Sequence, residues 1–378
     1  MAQTGRLRYH FRSFVSPPLV PPDAPQLGSS EEFGMGSSPL VSIIVVNWNG
    51  KKFLDECLSS LANQTWQRRE ILLVDNGSSD GTQDRIRSWA RQVPQCRAIC
   101  LPSNVGYCRA NNIAIEQATG EWIALLNNDA VAEPNWLQEL LRHGDVSSRI
   151  GMLGGKILFQ DPPGVIDKAG HLIYWDGQNR GRGTMEFDAG QYDRAEEILW
   201  PDACAALYHR SLLEETNGFD ETFYAFGDDA DLGLRARLLG WKAWYVPTAV
   251  VHHRHSASFG AYSPMKITLV ERNRLLLAIK NFPPSLLLQN PYWTLRRFLW
   301  HGYAAFRRRG ASGRFVDAQG WHQLLLAMIK AYAGAARRLP SALRRRRAIQ
   351  QTKRISNRDV LDTLRRFQID VRDLTLRD

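Results

Sequence analysis

VSIIVVNWNGKKFLDECLSSLANQTWQRREILLVDN, residues 41–76, decides the fold. Two apolar runs, Val41 to Val46 and Ile71 to Val74, flank a stretch from about Lys51 to Asn63 whose apolar residues recur at helical spacing. A strand covered on both faces reads as a continuous apolar run. Two such strands joined by a helix form a parallel βαβ unit with a right-handed crossover. The pattern repeats outward: a helix over about Thr82 to Gln92, a strand through AICL near Cys100, a helix from about Gly106 to Ala118 and a strand from Trp122 to Leu126. The expected class is α/β with a mainly parallel sheet, which binds its ligands beyond the carboxyl ends of the strands. Asn47, Asp75 and Asn127 to Asp129 stand at those ends.

The remaining sequence sets the boundaries. Residues 1–39 hold the cluster Pro17, Pro18, Pro21, Pro22 and Pro25 and no periodicity, which predicts a disordered leader. They contain no apolar core for a signal peptide, so the expected location is cytosolic. Five cysteines without a C-x-x-C pair argue against a disulfide scaffold or zinc ribbon. Past Asn135, Gly and Pro loosen the alternation, and long loops with short strands are expected. From Arg272 the pattern becomes helical and basic. The domain is expected to span 40–283, followed by a basic amphipathic helical tail over 284–378.

The net charge of +10 is confined to that tail: Pro291 to Asp378 carry 20 Lys+Arg against 6 Asp+Glu, leaving 28 against 32 for residues 1–290. The most apolar tail segment, Ser285 to Phe306, is interrupted by Pro291, Arg296 and Arg297, so it is expected to lie on a membrane rather than cross one. Its partner is expected to be an anionic membrane surface, reached through apolar anchors that include Leu286, Leu288, Trp293, Leu295 and Leu299 with Arg296, Arg297 and Arg307 to Arg309 beside them. SALRRRRAIQ (341–350) lacks the interleaved aromatic residues of an RNA platform, so nucleic acid is not an expected partner.

Three segments carry chemistry. FGDDADLGLRAR (226–237) crowds Asp228, Asp229 and Asp231 between apolar residues; like charges this close raise one another's pKa unless a cation or substrate compensates. LLNNDA places Asp129 just past an apolar run, where a hard divalent cation bridging diphosphate oxygens would need one or two protein oxygens. HHRH (252–255) follows another apolar run. Two carboxylate sites and a histidine suggest a metal and a general base in one cleft. In the turns, Asn47 and Asn49 can meet a base or sugar edge, Asp75 can accept from uracil N–H or ribose hydroxyls, and Asp80 or Ser79 caps the next helix. Arg235 and Arg237 follow the acidic segment at helical spacing, which suits them to orienting its carboxylates.

In order, VSIIVVNWNG, ILLVDNGSSDGT, SNVGYCRANN, LLNNDA, FGDDADLGLRARLLGWKAWYVPTAVVHH and ERNRLLLAIKNFP resemble the family 2 glycosyltransferases of the GT-A fold, in the bacterial branch that includes rhamnosyltransferases and galactofuranosyltransferases. The resemblance covers about Leu40 to Pro283. It implies donor binding at Asn47, Asn49, Asp75, Gly106, Asn127 and Asn128, with Asp129 ending the metal-binding triplet and Asp229 acting as catalytic base. It also implies an acceptor side at Trp200, Asp228 and Asp231, and a late metal ligand at His253 or, failing that, His252. Asn127 departs from the family, where many members carry Asp, and leaves the cation fewer charges. The implied activity is inverting transfer of a single sugar, with Mn²⁺ or Mg²⁺, from a dTDP- or UDP-linked nucleoside diphosphate sugar to a hydroxyl of a lipid-linked cell-surface glycan at the inner face of the membrane. Neither the Q-x-x-R-W motif nor the several spans of a processive synthase are present. The alternative is a catalytically weak nucleotide-sugar-binding or scaffolding protein of a glycan assembly complex.

Overall fold

Burial on both faces organises the central sheet. The structure, a computed structural model describing residues 38–254 and 263–377, begins with β1 (Val41–Asn47), α1 (Lys51–Ala62), β2 (Arg69–Asn76), α2 (Thr82–Gln92), β3 (Cys96–Leu101), α3 (Tyr107–Gln117) and β4 (Trp122–Leu126). β1 pairs in parallel with β2 and β4, and β2 with β3, so Asn47 and Asp75 emerge side by side in register. Each helix buries one stripe; in α1 this is Leu54, Cys57, Leu58 and Leu61, at the i, i+3, i+4, i+7 spacing of an amphipathic helix. The bounds expected from sequence hold to within a few residues here.

Beyond β5 (Ala130–Ala132) and α4 (Trp136–Leu141) come the long β6 (Ile150–Phe159) and three-residue strands β7 (Ile166–Lys168), β8 (His171–Ile173), β9 (Asn179–Gly181) and β10 (Glu196–Ile198). Then follow β11 (Ala205–His209), α5 (Arg210–Thr216), α6 (Asp228–Leu238) and β12 (Lys242–His253). The main sheet runs β10-β12-β6-β11-β4-β1-β2-β3, with β5 beside β12 and β7 beside β6; β8 and β9 form a separate ribbon. β11 is antiparallel to both neighbours and divides the β1–β4 half from the parallel β6–β12 pair. The expected short strands are present, but β6 and β12, at ten and twelve residues, are longer than the Gly- and Pro-interrupted sequence suggests. β12 tolerates Pro247 because the β6 register slips between Val246 and Val250, where a missing N–H costs no ladder bond. Gly155 permits that slip: a Cβ there would lie 1.7 Å from the Ala249 carbonyl oxygen.

The C-terminal helices are α7 (Pro264–Asn281), α8 (Pro284–Phe306), α9 (Gly310–Gln319), α10 (Trp321–Thr352), α11 (Asn357–Arg366) and α12 (Val371–Leu376). Residues 39–378 pack as one compact unit. α8 corrects the set of membrane anchors expected from sequence. Leu286 and Arg297 are each 3% exposed because they lie on the inner face, and Arg297 pairs there with Asp176 and Glu271. The outer face carries Leu288, Tyr292, Leu295, Leu299, Tyr303 and Phe306, an apolar stripe at spacings of three and four. Among the described residues no helix is long and apolar enough to cross a membrane. The expected leader falls almost wholly on residues 1–37, outside the described residues.

Candidate active site

A cleft of about 430 Å³ opens where β1 and β4 end, bounded on the far side by the α6 N-terminus, β8, β9 and one face of α7 from Lys266 to Leu277. Asn127, Asn128, Asp129, His171, Asp202, Asp228, Asp229 and His253 all line it. The strand order thus unites the acidic sites, which lie about one hundred residues apart in sequence.

The donor side is built by the turns after β1, β2 and β4. Asp75 is fully buried; its Oδ2 accepts from Ser78 N at 2.9 Å, while Oδ1 has no partner among the described residues. A buried acceptor without a donor is costly and suits a ligand N–H or hydroxyl. Asn47 and Asn49 are committed to the protein instead. Asn47 Oδ1 accepts from Asn128 Nδ2 at 2.6 Å, and Asn49 Oδ1 accepts from Ser79 N at 2.8 Å. They lock the turns together, and buried Asn47, whose Nδ2 also donates to Ser78 Oγ at 3.3 Å, is a turn residue rather than the donor-facing amide expected. Asp80 accepts from Thr82 N and Lys51 N, the first residues of α2 and α1, while Gly81 rather than Asp80 stands at the α2 N-cap. Gly106, at φ 89°, lets the chain pass under the Tyr224 ring, where a Cβ would come within 2.5 Å. Asn127 Oδ1 accepts from Tyr107 OH at 3.3 Å.

β12 delivers two adjacent histidines to opposite sides. His252 is half-exposed and pairs with Glu133. His253 is buried, with Nε2 3.3 Å from Asp129 Oδ1 and Nδ1 2.7 Å from Asp167 Oδ2. A carboxylate on the second nitrogen is the usual orienting partner of a metal-binding histidine. Burial alone would keep His253 neutral, but Cys204, Asp129 and Asp167 together push its pKa well above the ordinary value. With that proton displaced, the Asp129 oxygen and the His253 nitrogen facing one another could hold a divalent cation.

The catalytic side is the first turn of α6. Asp228 is pushed up to about 8 by burial and then by Asp229; burial also raises Asp229, with His171 and Lys168 opposing the rise. The pair shares its charge, and Asp229, facing Lys168 and the His171 ring, is the member that keeps it. Asp231 lies 200° round the helix from Asp229 at about 100° per residue. It turns away from the cleft to Arg235 (2.9 Å), Lys280 (2.7 Å) and Asn281 (3.0 Å), which corrects its expected acceptor-side position. Trp200 is likewise off the cleft: it is fully buried, packed on Gly233 and stacked on His171 at 5.6 Å. Arg235 orients Asp231 as its spacing suggests. Arg237 instead donates to the Leu199 and Ile198 carbonyls and pairs with Glu197.

The α6 turn is held under strain by residues whose role sequence reasoning did not assign. Tyr224 and Phe226, both at φ 68°, and Gly227 adopt left-handed backbone, costing about 1–3 kcal/mol for each non-glycine. Asn273 Nδ2 donates to the Phe223, Ala225 and Phe226 carbonyls, and Arg272 to Thr222 and Phe223. These residues explain the ERNR segment of α7. Also unassigned from sequence were His171, Asp202 and Lys168. His171 Nε2 lies 3.0 Å from Asp202 Oδ2 and 3.4 Å from Asp229 Oδ2, and Lys168 Nζ lies 2.7 Å from Asp202. The one signal available was Asp202 beside Trp200 in ILWPDACAAL.

A sheet of this order, with an Asp–His pair at a strand end and a carboxylate at a helix N-terminus across one cleft, has the GT-A fold. Residues 42–216 match the family model described as Glycosyl transferase family 2, which supports a family 2 glycosyltransferase. It is 27% identical over 244 residues to the N-acetylglucosaminyl-diphospho-decaprenol L-rhamnosyltransferase of Mycobacterium tuberculosis, covering 58% of this chain and 78% of that one. It is 30% identical over 230 residues to the O-antigen biosynthesis protein RfbC of Myxococcus xanthus, covering 58% of this chain but 18% of that protein. Among solved structures it resembles the mannosyltransferase PcManGT from Pyrobaculum calidifontis in complex with GDP-Man and Mn²⁺, at TM-score 0.51 and 19% identity over 80% of this chain and 87% of that one. GalNAc-T7 with UDP, GalNAc and Mn²⁺ matches at TM-score 0.54 and 14% identity over 66% of this chain and 49% of that one. These two likenesses concern the fold.

Proposed function

We propose that the protein transfers one sugar, with inversion, from a dTDP- or UDP-linked donor to a hydroxyl of a lipid-linked cell-surface glycan, using Mn²⁺ or Mg²⁺. The observation that carries the reading is one cleft lined by both the Asp129–His253 pair and the Asp228–Asp229 carboxyl pair. The acceptor oxygen attacks the anomeric carbon and gives its proton to the Asp229 carboxylate. The bond from that carbon to the phosphate oxygen breaks, with its electron pair leaving on the diphosphate. Asp75 takes the base or ribose through its unpaired Oδ1, and the half-buried Lys266 adds positive charge to the cleft. Asp129 and His253 would hold the cation, which offsets negative charge on the leaving diphosphate. The retained carboxylates favour turnover over a scaffold that only binds. Asp129→Ala is expected to weaken UDP or dTDP binding in the presence of Mn²⁺ at least tenfold by calorimetry, and His253→Ala less. Equal affinity in both variants and in EDTA would remove the metal from the proposal.

The α8 face supports the location. Six exposed apolar residues flanked by exposed Arg296 and Arg307 to Arg309 suit a helix lying in the headgroup region, each arginine contributing about 1 kcal/mol near an anionic surface. Leu299→Glu with Phe306→Glu is expected to abolish co-sedimentation with vesicles containing phosphatidylglycerol without changing the unfolding midpoint. Binding that survives both substitutions, or that ignores lipid charge, would leave the stripe to another partner.

A further inference from the structure

Among the described residues His171 is the one imidazole in contact with the α6 carboxylates, and its surroundings dictate its proton. It is 6% exposed, seated on the Trp200 ring, and its Nδ1 has no hydrogen-bond partner among the described residues. A buried ring nitrogen without an acceptor is less costly as a lone pair than as an N–H, so the proton belongs on Nε2. That nitrogen faces two carboxylates, Asp202 at 3.0 Å and Asp229 at 3.4 Å. Asp202 is in turn fixed by Lys168 at 2.7 Å and by Cys204 N donating to its Oδ1 at 2.8 Å. The chain Lys168–Asp202–His171–Asp229 therefore alternates cation, anion, donor and anion. On the opposite side, Asp229 Oδ1 accepts from Ala230 N at 2.8 Å, which leaves Oδ2 facing His171 Nε2 at 3.4 Å.

We propose that His171, braced by Asp202 and Lys168, is the positioning residue for Asp229: its Nε2–H keeps that carboxylate oriented toward the acceptor hydroxyl. The inference rests on Asp229 being the base. The 3.4 Å separation is long for a hydrogen bond, as such contacts often are before substrate tightens them. The other groups facing Asp229 are Asp228 on its own helix, Asp202 before β11, Lys168 at the end of β7 and the buried Tyr208 of β11. Of these only Lys168 and His171 favour the carboxylate. Loss of His171 therefore raises the pKa of Asp229, and the acid limb of the pH profile moves to higher pH.

The test uses the full chain with His171→Gln, Asp202→Asn, Asp229→Asn and the double variant His171→Gln/Asp229→Asn. Nucleoside diphosphate release is followed with the dTDP- or UDP-sugar that the wild type turns over. His171→Gln is expected to lower kcat about 10- to 100-fold with donor KM within twofold, and to move the acid limb upward. The double variant is expected to fall within about threefold of Asp229→Asn, because a residue acting through Asp229 has nothing left to position. A wild-type rate and profile for His171→Gln, while Asp229→Asn is inactive, overturns the positioning role alone; full activity of Asp229→Asn overturns the base. Nitrogen-15 NMR of histidine-labelled protein gives a reading without substrate. The resonances missing in His171→Gln should report an Nε2–H tautomer and shift in both Asp202→Asn and Asp229→Asn, and indifference to those substitutions refutes the proposal.

Discussion

Asp229→Asn lowers sugar transfer by about 10²- to 10⁴-fold while leaving nucleotide affinity within a few-fold, the range by which a positioned general base accelerates a reaction. The amide keeps the volume and the hydrogen bond from Ala230 N but cannot take the acceptor proton. The donor side is untouched, since Asp75, Asp129 and His253 lie at the ends of β2, β4 and β12 rather than on α6. Burial raises Asp229, so the acid limb of the wild-type profile should lie above the ordinary carboxylate range. As pH falls through that raised value the base is protonated and activity declines. Nucleoside diphosphate release and calorimetric nucleotide binding, measured on one protein sample from pH 4.5 to 9, separate the two effects. A folded variant that transfers at the wild-type rate would move the base to Asp228, the other carboxylate of this turn that lines the cleft.

Asp229 was legible in sequence because crowded carboxylates between apolar residues demand compensation. His171 was not, because it and Lys168 stand on strands of three residues, too short for any period to register. The β1–β4 half was readable for the opposite reason: strands covered on both faces are apolar throughout, and the helices between them alternate clearly. Direction was harder to read than position. Asn47, Asn49, Trp200 and Asp231 lie in or beside the turns and helix that build the site, yet their side chains serve turns, core and ion pairs. Nothing in a local sequence window distinguishes Asp231 from Asp229 until the partner helix supplies Lys280 and Asn281. The tail was misread in the same way: Arg297 looks like a solvated flank beside Arg296, but the inner face of α8 presents it to two acids contributed from distant parts of the chain.

Those acids carry the second large effect, Glu271→Ala, expected to destabilise the protein by about 3–5 kcal/mol, the usual cost of removing one partner from a buried ion pair. Glu271 is 4% exposed and accepts from Arg274 at 2.6 Å and from Arg297 at 2.8 Å, while Asp176 holds the same two guanidinium groups from the other side. Without Glu271, two buried arginines share one carboxylate. Burial pushes the Glu271 carboxyl upward, but Arg297 and Arg274 outweigh it and hold its pKa at about 2, below a reference of 4.5. A depressed folded-state pKa adds stability that is complete above the unfolded value and fades as pH falls toward the folded one. Over this shift it amounts to about 3 kcal/mol. The gap between wild type and Glu271→Ala in urea unfolding should therefore be largest at pH 7 and narrow by about 2 kcal/mol at pH 3. A pH-independent gap would mean that the loss is packing rather than charge. Because Arg274 also lines the cleft and Glu271 precedes the Arg272–Asn273 clamp on the α6 turn, the variant should lose kcat at temperatures where it remains folded. Unchanged kcat there would show that the network stabilises α8 without supporting the catalytic turn.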